Sequence, residues 1–285
     1  MNDTAAEARY EIIVEDMECP RPDGSVMLIR VARPKGRGPF PAVIDVHGGA
    51  WVLHDRNHNA RIDDALAADG IVVASPEFRK PPEGVYPVSV ADVHLATRWL
   101  KHNAAALGSS PERVGVIGTS SGGHQAMLSV LRPDDQHYAG LALAGAPDVD
   151  ATVKFAIACW SVLDPLARYR KALALKQENL LAGHAGFFLN DEAMMADGNP
   201  QLIMERGEQT HLPPLLVVHG TADDNLPPDM SARFVQAYRA AGGDATLRNF
   251  EGQQHAFVTR TPDHPDSHQA VREVADFIKA QAGVR

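Results

Sequence analysis

A chain of 285 residues is long enough for one large α/β domain or two small ones, and its 45% hydrophobic and 22% charged residues are ordinary for a globular protein. A net charge of −9 argues against nucleic acid and anionic membranes as partners, since both attract basic surfaces. The two cysteines, Cys19 and Cys159, sit in no CxxC or Cys/His cluster, so neither a metal site nor a disulfide framework is suggested.

In chain order, the acidic residues 1–7 have no apolar core and do not read as a signal peptide. No apolar run approaches the roughly 20 residues of a membrane span, and a cytoplasmic location is expected. Tyr10–Val14 and Val26–Val31 read as an antiparallel pair, turned by the Pro/Gly-rich Pro20–Gly24. Ala42–Val46 is a buried strand, Ile62–Ala68 lies in a helix, and Ile71–Ala74 is the next strand. Val88–Ala106 has apolar residues at helical spacing and stops at Gly108. Arg113–Ile117 is a strand, His124–Leu131 a helix, and Leu141–Leu143 a further short strand. From about Asp148 to His211 (148–211) the chain is helix-prone and offers no strand. A structureless loop of that length is improbable in a compact domain, so a helical cap over the sheet is expected. Leu215–Val218 and Thr246–Phe250 are strands around a helix from Pro228 to Ala241, and a last helix spans Ser267–Gln281. This alternation predicts a mostly parallel central sheet flanked by helices.

Gly118-Thr119-Ser120-Ser121-Gly122 joins the Arg113–Ile117 strand to the His124–Leu131 helix. The pattern G-x-S-x-G in that context is a nucleophile elbow, a tight strand-to-helix turn that presents a serine hydroxyl at the carboxyl edge of the sheet. Serine is a weak nucleophile until a neighbouring base takes its proton. A carboxylate and a histidine follow, each in a loop just past a strand: Asp223 in His219–Pro227, and His255 in Glu251–Phe257. Ser120 would attack an acyl carbon, His255 would carry the proton, and Asp223 would fix the imidazole. Ser121 is the rival nucleophile but has Thr119, not glycine, two residues before it. Asp224 rivals Asp223. His264 and His268 rival His255 but lie in a proline-rich loop and at a helix start.

A second constellation, His47-Gly48-Gly49-Ala50-Trp51, follows the Ala42–Val46 strand. Consecutive glycines let backbone N–H groups approach a substrate, and such donors stabilise the oxyanion of acyl transfer by about 3–4 kcal/mol each. The N–H of Ser121 is the matching further donor.

The set HGGAW, GTSSGGH, HGTADDNLP and GQQHAF resembles the α/β-hydrolase fold. Within that fold it is similar to the hormone-sensitive-lipase-like and bacterial carboxylesterase, feruloyl-esterase-like groups. The likeness runs from about Pro41 to the carboxyl terminus, leaving aside the insertion. It implies Ser120, Asp223 and His255 as the triad and the N–H groups of Gly49, Ala50 and Ser121 as the oxyanion hole. HGGAW stands where lipase-like esterases often carry HGGG, a form also found in kynurenine formamidases. Ser121 stands where many relatives have alanine, which leaves the N–H unaffected.

The expected activity is hydrolysis of small or medium carboxylic esters through an acyl-enzyme, with no metal or organic cofactor. Amide cleavage on the same triad, as in an arylformamidase, is the alternative. A ligand-binding protein that has lost catalysis is the alternative of another class. Trp51, Phe78, Trp160, Leu163, Phe187 and Phe188 are candidate pocket walls for a small-molecule ester. Asp92 reads as a helix-terminus or ion-pair residue, and Arg132–Asp135 as a solvated loop. A homodimer is expected only from its frequency among such folds.

Overall fold

A computed structural model of the chain describes residues 9–208 and 210–284. In chain order its strands are β1 (Ile12–Pro20), β2 (Val26–Pro34), β3 (Phe40–Val46), β4 (Val72–Pro76), β5 (Ser109–Thr119), β6 (Ala156–Cys159), β7 (Leu215–Gly220) and β8 (Ala245–Phe250). They form one sheet in the order β1-β2-β4-β3-β5-β6-β7-β8. The first two strands pair antiparallel across the turn Arg21–Ser25, where Gly24 takes φ +84°. β2 also runs antiparallel to β4. From β4 to β8 every neighbouring pair is parallel.

Parallel neighbours need crossovers, and helices supply them. They are α1 (Ala60–Ala68), α2 (Val88–Asn103), α3 (Ser121–Leu131), the short α4 (Gln136–Ala139), α5 (Pro165–Ala174), α6 (Glu178–Phe188), α7 (Glu192–Asp197), α8 (Pro200–Glu205), α9 (Met230–Ala240), α10 (Phe257–Arg260) and α11 (Pro265–Gln281). Alternate strand residues feed two separate cores, because successive side chains point to opposite faces. Val43, Val73, Ile117 and Leu216 pack under Leu66 of α1 and Val274 and Ile278 of α11. Ile44, Ala74, Val116 and Val217 pack under Val93 of α2, Met127 of α3 and Phe234 of α9. Each Val, Leu, Ile, Met or Phe side chain so buried contributes about 1.5–3 kcal/mol.

Three expectations need correction. Leu141–Leu143 is not a strand: Leu143 is buried in the core, but the backbone turns there, the Ala146 N–H bonding to the Leu143 carbonyl at 3.2 Å. The strand is β6, inside the stretch read as strandless, between β5 and β7. Its four residues, Ala-Ile-Ala-Cys, carry one β-branched side chain, so the local signal is weak and the pairing on both edges makes the strand. The helices α5–α8 therefore begin only at Pro165. Asp164 caps α5 by accepting the Ala167 N–H at 3.0 Å, and Asn199 caps α8 through the Leu202 N–H at 3.1 Å. Arg132 is also not free in a solvated loop; its guanidinium donates to Glu208 at 2.7 and 3.0 Å.

Buried histidines make the fold acid-sensitive. Burial, ahead of every other cause, pushes His47, His94 and His124 down to about 4 and His184 to about 3. Burial also pushes Asp45 up to about 6, and burial with the Asp45 charge raises its neighbour Asp63. Unfolded histidine titrates near about 6.5 and aspartate near about 3.9. Between about pH 6 and 4 the unfolded chain takes up protons at four histidines that the folded chain refuses, while the folded chain holds protons at two carboxyls that the unfolded chain releases. The histidines outnumber the carboxyls, so stability falls as pH is lowered through this window. Thermal melts should show a lower Tm at pH 4.5 than at pH 7; an equal or higher Tm at pH 4.5 contradicts the balance.

Candidate active site

Between the end of β5 and the start of α3, Ser120 takes φ 52° and ψ −118°. A non-glycine residue at positive φ is strained, and only tight surroundings hold it there. Gly118 and Gly122 supply that tightness. A Cβ on Gly118 would lie 2.6 Å from the Gly123 Cα, and one on Gly122 would lie 2.0 Å from the Val46 carbonyl oxygen. The elbow can close only without those side chains.

The loop after β8 brings His255 to the elbow, with Ser120 Oγ 2.9 Å from His255 Nε2. His255 Nδ1 lies 2.8 Å from Asp223 Oδ2, on the loop after β7. If Nε2 accepts the serine proton, Nδ1 carries the ring hydrogen and donates to Asp223. The other oxygen of Asp223 accepts the N–H groups of Asn225 at 2.9 Å and Leu226 at 3.0 Å. Burial works to raise the Asp223 carboxyl, but the hydrogen bond and charge of His255 with the Leu226 N–H outweigh it and hold the carboxyl below its ordinary value. The rivals lie elsewhere. Ser121 Oγ is buried and accepts the Trp51 N–H at 3.0 Å. His264 caps α11, and Asp224 and His268 are exposed.

The HGGAW turn lies beside Ser120. Gly49, Ala50 and Trp51 take φ 121°, 49° and 67° in succession. The N–H groups of Gly49, Ala50 and Ser121 have no hydrogen-bond acceptor among the described residues. The turn is held from three sides: His47 Nδ1 donates to the Gly48 carbonyl at 2.7 Å, Ser121 Oγ holds the Trp51 N–H, and Gly183 of α6 packs against Ala50, where a Cβ would come within 2.8 Å of the Ala50 oxygen.

A cavity of about 330 Å3 opens onto Ser120 and His255. Trp160 lines it. Trp51, Leu163, Phe187 and Phe188 do not, and this corrects the choice of wall residues expected from sequence. All are at most 2% exposed. Trp51 stacks on Phe187 with centroids 5.3 Å apart and planes 8° apart, Phe188 meets it edge-on at 5.4 Å, and its Nε1 donates to His124 Nδ1 at 3.1 Å. Phe78 stacks on His47 at 4.4 Å. The aromatic rings fasten α6 to the HGGAW turn, because apolar helix faces bury against each other before they line a wet cavity. Apolar groups of Ala50, Leu53, Trp160, Leu180 and Ala256 share the wall with the polar Arg168, Asn179 and Asn225, and of these three only Asn225 falls in a sequence motif, HGTADDNLP. A larger and more open hollow, about 560 Å3, lies around Leu131–Asp135 and His211, with neither Ser120 nor His255 in its wall.

Among the described residues, no group of three or more His, Cys, Asp or Glu is arranged to hold a metal ion, and no helix is long and apolar enough to cross a membrane.

The family model BD-FAE matches residues 31–238. Carboxylesterase NlhH of Mycobacterium tuberculosis is 30% identical over 250 residues, covering 79% of this chain and 69% of its own. Probable carboxylic ester hydrolase LipM of the same organism is 26% identical over 230 residues, 77% of this chain and 50% of its own. The chain spans about half the length of the first curated relatives it matches. Among solved structures, a hyperthermophilic esterase from Pyrobaculum calidifontis superposes with a TM-score of 0.78 at 23% identity, covering 95% of this chain and 86% of the other.

Proposed function

The chain belongs to the BD-FAE family, within the α/β-hydrolase fold, and from that premise we propose that it is a serine carboxylesterase. The hydrogen-bonded series Ser120–His255–Asp223, opening onto a cavity, carries this reading. In it, an ester carbonyl enters beside Ser120. His255 takes the hydroxyl proton as Ser120 Oγ attacks, and the negative oxygen that forms is met by the N–H groups of Gly49, Ala50 and Ser121. His255 then passes its proton to the departing alcohol. Water repeats the sequence on the acyl-enzyme and releases the acid. Asp223 keeps the ring oriented and stabilises the imidazolium. Beyond the ester and water, each step uses only side chains and backbone of this chain.

A cavity of about 330 Å3 suits a small or medium ester. Names of relatives, carboxylesterase and carboxylic ester hydrolase, support ester over amide chemistry. A cytoplasmic setting belongs to the proposal too; both cysteines are free and buried. The test is a panel of p-nitrophenyl esters from acetate to decanoate beside aryl formamides and anilides. Rates highest on short or medium acyl esters are expected. Amide rates above the ester rates would make the protein an amidase.

Ser121 gives a second test. Its hydroxyl holds the Trp51 N–H at 3.0 Å and so fixes the turn that carries two of the proposed donors. Ser121→Ala leaves that buried N–H unpaired, a cost of about 1–3 kcal/mol. The expected result is a fall in kcat of about tenfold with little change in KM. Unchanged kcat would show that the turn does not depend on this bond.

A further inference from the structure

Arg168 is the least expected group at this site. It lies on α5, is 1% exposed, and lines the cavity that opens onto Ser120. Buried cations normally have a carboxylate partner. Arg21 has Asp92, and Arg30 has Asp63 and Asp64. Arg168 has no ion pair among the described residues. Its Nε donates to Asn225 Oδ1 at 2.9 Å, and its Nη1 donates to His184 Nε2 at 3.1 Å. Both acceptors are neutral as they stand: an amide oxygen, and a ring nitrogen that can accept only when the imidazole is uncharged. The indole of Trp51 lies 5.5 Å from the guanidinium carbon. Nη2 has no protein partner among the described residues. The guanidinium plane is thus fixed on one side by Asn225, His184 and Trp51, while part of its donor fork is left for something in the cavity.

The rest of the wall points the same way. Arg260 lines the same cavity, is exposed, and makes no ion pair among the described residues. No aspartate or glutamate is among the lining residues, although the chain as a whole carries a charge of −9. The carboxylate whose charge acts on Arg168 is Asp223, and it is committed to His255 and to the Asn225 and Leu226 N–H groups.

We propose that the ester cleaved here bears a carboxylate, and that Arg168 binds it inside the cavity while Arg260 draws it to the mouth. The proposal rests on the esterase reading of the same site and narrows its substrate class to anionic esters. A planar, fixed guanidinium matches a carboxylate bidentately, and such charge-assisted bonds are the stronger kind. The competing role is positional: Arg168 touches Asn225, whose N–H holds Asp223, so it could act only by steadying the triad.

The two roles separate by a ratio. Initial rates of proton release would be measured at fixed ionic strength for two matched pairs. Monomethyl glutarate against dimethyl glutarate puts the carboxylate on the acyl side. 4-Butyryloxybenzoate against phenyl butyrate puts it on the alcohol side. In the wild-type protein, kcat/KM for at least one anionic ester should exceed that of its neutral partner by about tenfold or more. Arg168→Gln should bring that ratio to one or below, Arg168→Lys should keep part of it, and Arg260→Gln should lower it by a smaller, salt-sensitive amount. If Arg168→Gln does not fold, competitive inhibition of wild-type phenyl butyrate hydrolysis by free glutarate or benzoate, weakening with salt, serves the same purpose. Neutral esters turned over as well as the anionic ones by the wild type, with no inhibition by either acid, would overturn the carboxylate site while leaving the esterase reading intact. Equal loss on both members of a pair in Arg168→Gln would make Arg168 a positioning residue. Failure to turn over any of the four esters would instead remove the esterase reading itself.

Discussion

Replacing Ser120 with alanine is expected to lower kcat on p-nitrophenyl butyrate by about 10^4- to 10^6-fold while leaving the melting temperature nearly unchanged. The size follows from the way a triad works: nucleophile, base and carboxylate act as a unit, and loss of the nucleophile costs about as much as loss of all three. Folding should survive because the strained φ of 52° is imposed by the glycines around Ser120, and alanine meets the same backbone cost that serine already does. The hydroxyl bonds only to His255, at a site open to the cavity, so its removal leaves no deeply buried polar atom unpaired. Steady-state kinetics with a thermal melt on the same sample would check both halves. Turnover within tenfold of wild type would move the nucleophile to another residue.

Asp92→Ala should strongly destabilise the fold, by about 3–5 kcal/mol. Asp92 is fully buried in α2. It receives Arg21 through Nε and Nη2, both at 3.0 Å, and Arg79 through its backbone N–H at 2.8 Å, Nε at 2.9 Å and Nη2 at 2.8 Å. Arg79 is partly exposed and can turn to water, but Arg21 is buried at the β1–β2 turn. Without the carboxylate, Arg21 keeps a charge with no counter-ion, and the antiparallel edge of the sheet keeps the Trp99–Glu18 hydrogen bond to α2 but loses its charged tie. The denaturant midpoint reads the effect. A change under about 1 kcal/mol would mean that water replaces the carboxylate.

These two residues also mark how far the sequence could be read. Ser120 was legible because an elbow needs glycines at fixed offsets and a strand before it, which are local demands. Asp223 and His255 were legible because each falls in a loop just past a strand, and parallel strands put such loops at one edge of the sheet. Asp92 was readable as an ion-pair residue, but its two arginines come from a distant turn and from the loop after β4. β6 was missed because four residues with two alanines carry almost no pattern of their own; the strand exists because β5 and β7 pair with it. The cavity wall was misread for a similar reason. Trp51, Phe187 and Phe188 looked like a pocket because they are large, apolar and near the motif. Their burial against one another is decided by how α6 packs on the HGGAW turn, and the vacated wall passes to Arg168, a residue with no motif around it.

The most direct test of the account is covalent. Incubation with an alkyl fluorophosphonate, followed by intact-mass and peptide analysis, asks whether the chain holds one activated serine and which it is. The account predicts a single phosphonyl adduct on the peptide containing Ser120, located at Ser120 and absent from the Ser120→Ala protein. An unlabelled chain, or an adduct at Ser121 that persists in Ser120→Ala, would contradict it.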